Sequence, residues 1–314
     1  MIQYILKRIL YFIPTLLLVA FMVFFLIHLI PGDPVIAMLG EDASPENVTA
    51  VRKTLGLDRP LPVQFALWIR NILNGDFGIS IQTKRPVVQS IKERFPVTIT
   101  LTTLALLFSL VLSLPSGIMA AIYQNTQKDY LFMLATILGV SIPGFWLGLM
   151  ALLVFSMYIG WFPTIGFVPI WEDFWEGLRF LILPATTMGL YMAAVVARMV
   201  RSSMLEVLRL EYITHARAKG LREWKVITKH ALKNAFGPTL TTIGIQYGRL
   251  LGGAVVTETV FSLPGLGKYV VVSIYARDYP VVQGCILFIA LIYVVINLVV
   301  DLLYSYFDPR IEYQ

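Results

Sequence analysis

Residues 211–236 read EYITHARAKGLREWKVITKHALKNAF and form the most basic stretch of an otherwise apolar chain. The 314 residues are 57% hydrophobic and 14% charged, with a mean hydropathy of +0.75. A soluble chain carries charge on roughly a quarter of its residues, so the composition indicates an integral membrane protein. The apolar runs do not alternate with polar residues, which favours membrane-spanning helices over a barrel.

Six apolar runs on either side of the quoted stretch are long enough to cross a bilayer, which takes about 20 helical residues. They cover approximately Ile9–Ile30, Ile99–Tyr123, Leu131–Tyr158, Leu181–Val200, Gly237–Thr257 and Cys285–Tyr306. The first run is too long for the apolar region of a signal peptide and has no small-residue cleavage site after it, so we expect it to remain as a span. The third carries Pro143-Gly144 at its middle, which predicts a kink.

Lysine and arginine near the span ends favour one side of the membrane. The short segments of the opposite side hold only Arg179, Lys268 and Arg277. The positive-inside rule therefore places both termini and the quoted stretch in the cytoplasm. The cytoplasmic set is Lys7, Arg8, Lys128, Arg201, Arg209, Arg217, Lys219, Arg222, Lys225, Lys229, Lys233 and Arg310.

The segment between the first two spans is predicted to be a small external helical subdomain. Ser44 and Pro45 are typical of a helix N-cap and first turn, and Gly56 suits the end of that helix. A second helix between Pro62 and Gly75 has Phe65, Trp68, Ile69, Ile72 and Leu73 on one side. The predicted organisation is residues 1–30 for the N-terminal stub and first span, 31–98 for the subdomain, 99–307 for a five-helix core with the cytoplasmic loop 201–236, and 308–314 for a cytoplasmic tail.

Sets of residues that would support catalysis or metal binding are missing from the sequence. The three histidines are scattered, and the single cysteine, Cys285, excludes an internal disulfide. The glycine-containing segment Leu263–Lys268 departs from a phosphate-binding loop, because Ser262 and Tyr269 stand where that loop needs Gly and Ser or Thr. We therefore expect no metal site, no cofactor and no enzymatic activity in this chain.

Polar residues inside the predicted spans are candidates for function, because they are costly there. Gln246 and Arg249 are spaced to share a helix face with Gly253, and Arg249 either lines a path for an anionic solute or is structural. Asn297 and Asp301 share a face in the sixth span. For Asp301 we favour a structural ion pair with Arg198, or with Arg201.

The quoted loop itself is predicted to form two helices. The first runs from about Leu205 to Lys219 and ends at a glycine cap, Gly220. The second runs from about Leu221 to Asn234 with two opposite stripes, and Gly237-Pro238 separates it from the fifth span. The apolar stripe is Leu221, Trp224, Ile227, Ala231 and Ala235, and the basic stripe is Arg222, Lys225, Lys229 and Lys233. An interfacial helix on anionic lipid and a small helix for a protein groove both fit these patterns.

The loop resembles the coupling loop of ABC importer permeases, whose pattern is Glu-Ala-Ala, three residues, Gly, nine residues, Ile-x-Leu-Pro. Gly220, Ala216 and Leu232 match this pattern. Thr214, His215, His230 and Lys233 depart from it, and the departures resemble the oligopeptide, dipeptide and nickel branch. The resemblance assigns ATPase coupling to Glu211, Tyr212, Thr214, His215, Ala216, Arg217, Ala218, Lys219, Gly220 and Leu221.

Further blocks that resemble this branch extend over nearly the whole chain. They are YILKRILYFIPTLLLV (4–19), HLIPGDP (28–34), LGLDRPLPVQF (55–65), GDFG (75–78), TETVFSLPGLG (257–267), RDYPVVQG (277–284) and NLVVDLLYSYFDPRI (297–311). The chain is thereby identified as a member of the branch, similar to its first, dipeptide-type permease. The implied fold is that of a type I ABC importer permease with six transmembrane helices.

The resemblance also implies partners and a location. These are a second homologous permease, two cytoplasmic ATPases that hold ATP and Mg²⁺, and an external solute-binding protein, in the cytoplasmic membrane of a bacterium or archaeon. No nucleic-acid partner is implied. Small peptides are the expected solutes, and glutathione and nickel chelates stay open. An ion-coupled transporter is the alternative of another class, although Asp301 is the only carboxylate well inside a predicted span.

Overall fold

The computed structural model describes residues 2–29, 35–36, 44–54 and 57–307. Across these residues the chain is helical and has no β-strand, which confirms the predicted all-α class. Gly56, most of the block HLIPGDP and the predicted tail 308–314 lie outside them.

The described helices alternate between long apolar ones and short ones. In chain order they are α1 (Ile2–Leu29), α2 (Pro45–Thr54), α3 (Leu61–Leu73), α4 (Val87–Ile122), α5 (Gln127–Ser141), α6 (Gly144–Ala151, continued by a π-helical turn Leu152–Tyr158), α7 (Phe174–Leu208), α8 (Glu211–Ala218), α9 (Glu223–Lys225, a π-helical turn Val226–Ala231, then Leu232–Val260), α10 (Leu266–Tyr275) and α11 (Tyr279–Phe307).

Three of these helices, α4, α7 and α11, are long and apolar enough within the described residues to cross a membrane. The pair α5 and α6 makes a fourth if it counts as one span, with a bend of 95° between its halves. The bend lies at Pro143-Gly144, where a kink is predicted: Ile142 is extended with φ −81° and ψ 125°, the conformation that a following proline favours. The remaining two predicted spans correspond to α1, of which Leu10–Phe25 is a shorter apolar stretch, and to α9.

The described chain packs as two compact units. One consists of Val97–Leu263 and the segment that begins at Val295, and the other consists of Ile2–Pro96 and Pro264–Val294. This division rests on packing alone, so the boundaries 30/31, 98/99 and 307/308 stay predictions.

In the first unit, α7 lies at the centre and packs against α4, α5, α6 and α9. Small residues allow close crossings: a Cβ at Gly189 would lie 2.7 Å from the carbonyl oxygen of Ala105, and one at Gly117 would lie 2.7 Å from that of Ala197. Close backbone approach is the usual source of helix association in lipid, where the hydrophobic effect between helices is absent.

In the second unit, α3 packs on α1 through aromatic rings. The Phe24 ring centroid lies 5.4 Å from that of Phe65 and 5.7 Å from that of Trp68. As predicted, Ser44 caps α2 by accepting a hydrogen bond from the Asn47 amide at 3.3 Å. Leu73, which was predicted on the same side as these rings, is 81% exposed; it is the last residue of α3.

Candidate functional site

The short helix α8 connects α7 to α9. Only Arg209 and Leu210 separate it from α7, and Leu210 is extended with φ −74° and ψ 143°. The prediction of one helix from about Leu205 to Lys219 was therefore wrong. The predicted helix is divided because the chain turns at these two residues, where the Leu210 amide donates to the carbonyl of Val207 at 3.1 Å.

One face of α8 is buried and the other is open. Ile213 has no exposed surface and Ala216 is 8% exposed, and both belong to the hydrophobic core of the first unit. Their spacing of three residues places them on one side of the helix. The exposed residues are Glu211, Tyr212, Thr214, His215, Arg217, Ala218, Lys219 and Gly220, and Leu221 is half-buried.

The predicted glycine cap of α8 is confirmed by its backbone geometry. Gly220 has φ +75°, its amide donates to the carbonyl of Arg217 at 2.9 Å, and the Leu221 amide donates to that of Ala216 at 3.3 Å. This pair of bonds is the Schellman motif. The turn reverses the chain within three residues and directs it into α9.

An exposed ion pair joins the residues on either side of the same turn. Arg217 Nη2 lies 2.7 Å from Glu223 Oε1, and Arg217 Nε lies 3.1 Å from Glu223 Oε2. The hydrogen bonds from Arg217 hold the pKa of Glu223 below its ordinary value, and the carboxylate raises the pKa of Arg217. Burial opposes both shifts. The last turn of α8 is thereby fastened to the first turn of α9.

The beginning of α8 is fastened to α9 as well. The Tyr212 hydroxyl accepts a hydrogen bond from Asn234 Nδ2 at 2.8 Å and donates to the carbonyl oxygen of His230 at 3.3 Å. With the buried Ile213 and Ala216, these contacts hold both ends and one face of α8. The α8 helix is thus bonded to α9 near both of its ends, and its opposite face is exposed.

The helix after the turn differs from its prediction in two ways. The Val226–Ala231 segment is π-helical, and a π-turn shifts the side-chain register. Val226 and Ile227 are consequently both buried, whereas Trp224, predicted on the apolar stripe, is 76% exposed. Gly237-Pro238 does not separate this helix from the fifth span, because α9 continues through both residues. The predicted basic stripe, Arg222, Lys225, Lys229 and Lys233, is exposed.

The two path candidates on α9 differ in exposure, since Gln246 is buried and Arg249 is exposed. Gln246 is 5% exposed, and the neighbouring Tyr247 hydroxyl lies 2.9 Å from Thr103 Oγ1 of α4. Arg249 is exposed together with Gly252 and Gly253, and a Cβ at either glycine would meet no atom within 4 Å. The three residues lie on one side of the continuous helix, because positions three and seven residues apart differ by about 60° and 20° around its axis; Gln246 is packed at its level, while Arg249 and Gly253 are open. The role of Gln246 and Arg249 in a solute path stays a prediction.

The predictions for the polar residues Asn297 and Asp301 of α11 and Arg198 and Arg201 of α7 are tested only in part. Asn297 and Asp301 are half-buried and Arg198 is exposed; their roles, including the Asp301–Arg198 pair, stay predictions. Arg201 forms a two-pronged ion pair with Asp129 of α5, with both N–O distances 2.7 Å. The Asp129 side chain is only 2% exposed.

Besides Asp129, two further buried carboxylates were missed by sequence reasoning. Glu258 of α9 has no exposed surface and accepts a hydrogen bond of 2.6 Å from Thr98 Oγ1 of α4. Asp278 is 3% exposed and accepts a hydrogen bond of 3.0 Å from the Ile81 amide. A sequence signal for Glu258 existed: the mostly apolar run of the fifth span extends to Val260 if one carboxylate is accepted inside it, and the helix ends at that residue. No group of three His, Cys, Asp or Glu that would hold a metal ion occurs in the described part of the chain.

Comparison with known proteins places this arrangement in a family. A family described as "binding-protein-dependent transport system inner membrane component" matches residues 113–313, and the family of its N-terminal part matches residues 1–102. The chain belongs to this family. It is therefore a multi-pass inner-membrane permease of an ABC importer, and ATP hydrolysis belongs to partner ATPases and not to this chain.

Relatives of the permease cover its full length. It is 44% identical over 333 residues to the dipeptide transport system permease protein of Alkalihalophilus pseudofirmus, covering 100% of both chains. It is also 44% identical over 314 residues to the glutathione transport system permease protein of Salmonella typhimurium, again covering 100% of both. An inward-facing methionine ABC transporter structure matches 70% of the permease and 97% of that chain, with 18% identity and a TM-score of 0.60, which supports the type I permease fold. Family membership implies ATPase and substrate-binding partners.

Proposed function

We propose that this permease moves small peptides into the cell and that residues 211–221 couple it to two cytoplasmic ATPases. The observation that carries the proposal is the fastening of α8, with one face buried, both ends bonded to α9 and the other face open. A movement imposed on the open face is passed to α7 and α9, because only Arg209 and Leu210 separate α8 from α7. ATP and Mg²⁺ are bound by the ATPases, and this chain needs no cofactor of its own.

The transport cycle that we propose is alternating access. The permease pairs with a second homologous permease, so that the pathway lies between two different chains. Closure of the ATPases on ATP changes the orientation of the helices joined to α8, and solute delivered by an external binding protein is released inside. For the solute to be moved, the two orientations must bind it with different affinity.

Di- and oligopeptides are the solute class that we favour. The relatives are named for dipeptide and glutathione transport, and these solutes share peptide bonds and a free carboxylate. Arg249, exposed on α9, supplies a positive charge for that carboxylate. Gln246 and Asn297 stay candidates for the same path. Glutathione is the second candidate solute, because a relative named for it matches over the whole chain.

The orientation in the membrane is part of the proposal. We place both termini and α8 in the cytoplasm and residues 31–98 outside as a helical subdomain, with 99–307 as the core and 308–314 as a tail. Single cysteines test this arrangement cleanly, because the only native cysteine, Cys285, is buried. In intact cells a membrane-impermeant thiol reagent should label Tyr275→Cys, whose parent residue is 86% exposed, and should reach Lys219→Cys only after the membrane is opened. The reverse labelling order would overturn the orientation.

The function is tested by purification and reconstitution of the complete complex. In mild detergent the permease should co-purify with ATPase subunits, and in vesicles it should take up dipeptide when ATP and binding protein are present. Recovery of the chain alone under every condition, or uptake driven by an ion gradient without ATP, would rule out the proposal. Uptake of glutathione but not dipeptide would keep the permease role and replace the solute.

A further inference from the structure

The segment that joins α6 to α7 carries an unusual concentration of exposed aromatic rings. Half of the six tryptophans of the chain, Trp161, Trp171 and Trp175, lie within 15 positions. They are 62%, 59% and 75% exposed, and Tyr158 and Phe174 beside them are 79% and 55% exposed. We call residues 158–175 the aromatic segment.

The aromatic segment is held in a defined conformation on its inner side. A Cβ at Gly177 would lie 2.8 Å from the carbonyl oxygen of Val168, so the segment rests directly on the first turn of α7. Phe162, Phe167 and Ile170 pack against the core of the first unit. The exposed rings are therefore the outer side of a packed element.

Hydrogen bonds connect the segment to the ends of both flanking helices. The Trp161 amide donates to the carbonyl of Phe155 at 2.9 Å, and the Trp161 carbonyl accepts from Arg179 Nη2 at 3.4 Å. Asp173 caps α7 by accepting from the Glu176 amide at 3.0 Å. Trp161 and Trp175 consequently lie at one end of the first unit, the end of α7 that is farthest along the helix from α8.

The position of this end along α7 matches a membrane interface. The apolar stretch Leu181–Val200 spans about 30 Å of helix, which fills the hydrocarbon layer. Trp175 precedes Phe180, the first apolar residue after Arg179, by five residues, or about 7.5 Å along the axis, and each headgroup layer is roughly 5–8 Å thick. Tryptophan and tyrosine are enriched at this depth, because their rings are apolar with one polar atom.

The charges around the rings exclude attraction to anionic headgroups as the cause. Glu172, Asp173 and Glu176 are acidic, and Arg179 is paired with Glu176 at 3.1 Å. Binding at this surface must therefore come from the rings themselves and should not depend on lipid charge.

We propose that the aromatic segment is a membrane anchor, with Trp161, Trp171 and Trp175 in the lipid headgroup layer on the side opposite α8. It fixes the depth of the α6–α7 connection in the membrane. The proposal needs only the membrane-spanning fold and does not depend on the identity of the solute.

Tryptophan fluorescence in the reconstituted complex tests the anchor. One variant keeps Trp161, Trp171 and Trp175 and replaces the other three tryptophans with phenylalanine; a second keeps only Trp224. Trp224 is a matched control, because at 76% its exposure equals that of Trp175 at 75%. Lipids brominated near the glycerol should quench the first variant more strongly than lipids brominated near the chain ends, and acrylamide should quench it weakly. The Trp224 variant should be quenched strongly by acrylamide and by neither brominated lipid.

Three further measurements keep the test decisive. Exchanging zwitterionic for anionic lipid should leave the quenching unchanged. If the three-tryptophan variant does not assemble, the converse variant, with phenylalanine at positions 161, 171 and 175, should lose the lipid-dependent quenching of the native complex. Strong acrylamide quenching without lipid quenching would overturn the anchor, and protection only after addition of the binding protein would assign the segment to protein docking instead.

Discussion

Gly220 offers the sharpest test of how α8 works, because a side chain added there strains the backbone without a steric clash. At φ +75° a residue with a Cβ costs about 1–2 kcal/mol, while a Cβ at this position would meet no atom of the chain within 4 Å. Gly220→Ala therefore adds strain without a clash. A cost of 1.4 kcal/mol corresponds to about a tenfold loss of the correctly formed turn. Gly220→Asn should cost less, since asparagine tolerates the left-handed region.

A charged side chain at the same position probes the docked partner. Gly220→Asp adds a carboxylate at an exposed turn, so we expect transport to stop and ATP hydrolysis to continue uncoupled while membrane insertion is unchanged. Gly252→Ala is the matched control, because that glycine is helical and also has no atom within 4 Å of an added Cβ.

The assay is the ratio of peptide taken up to ATP hydrolysed in vesicles that contain the complete complex. We expect the ratio to fall in the order wild type, Gly220→Asn, Gly220→Ala, Gly220→Asp, with Gly252→Ala equal to wild type. Wild-type transport by Gly220→Asp would refute the docking role. An equal loss in Gly252→Ala would show that a methyl group added at an open glycine far from the turn has the same effect, and the turn would then carry no special function.

Three other perturbations follow from the ion pairs and from Arg249. Asp129→Asn breaks a buried pair and should destabilise the permease by about 3–5 kcal/mol in thermal unfolding, whereas Glu93→Gln, in a pair about half exposed, should cost less than about 1 kcal/mol. Exchanging Arg217 and Glu223 should restore the coupling that either single change weakens. Folding lowers the pKa of Glu223, so the pair contributes its full stabilisation of the turn above the ordinary carboxyl pKa of 4.5. That stabilisation is lost only as the pH falls through the lowered pKa. A change between about pH 6 and 8 in the ratio of peptide taken up to ATP hydrolysed would contradict this role of the pair. Arg249→Ala should reduce uptake more than assembly, and failure to assemble would favour a structural role.

The sequence predicts the architecture well where one physical requirement dominates. A membrane span needs about 20 apolar residues, so the long helices are recognisable without a structure. A left-handed turn after a helix favours glycine, which identifies Gly220. Pro143 ends a helix for a reason that is equally local. Each of these signals is contained in a few neighbouring residues.

Other features escape prediction because tertiary packing decides them. Trp224 was assigned to the buried stripe at ordinary helical spacing, but the π-turn Val226–Ala231 shifts that spacing. Pro238 lacks a backbone N–H, yet α9 continues through it, with Ala235 and Thr239 buried beside it. The bond between Thr98 and Glu258 joins residues 160 positions apart, and no local pattern indicates it.

The π-turn Val226–Ala231 has a consequence for how such permeases diversify. A π-helical turn accommodates about one residue more than an α-helical turn, so one residue can be gained or lost there while the helix on either side keeps its orientation. Loss of one residue from regular α-helix elsewhere in α9 would instead rotate the preceding chain by roughly 100° about the axis, and the Arg217–Glu223 pair and α8 would rotate with it. The π-turn is therefore the place in α9 where we expect a change in chain length to leave the position of α8 unchanged.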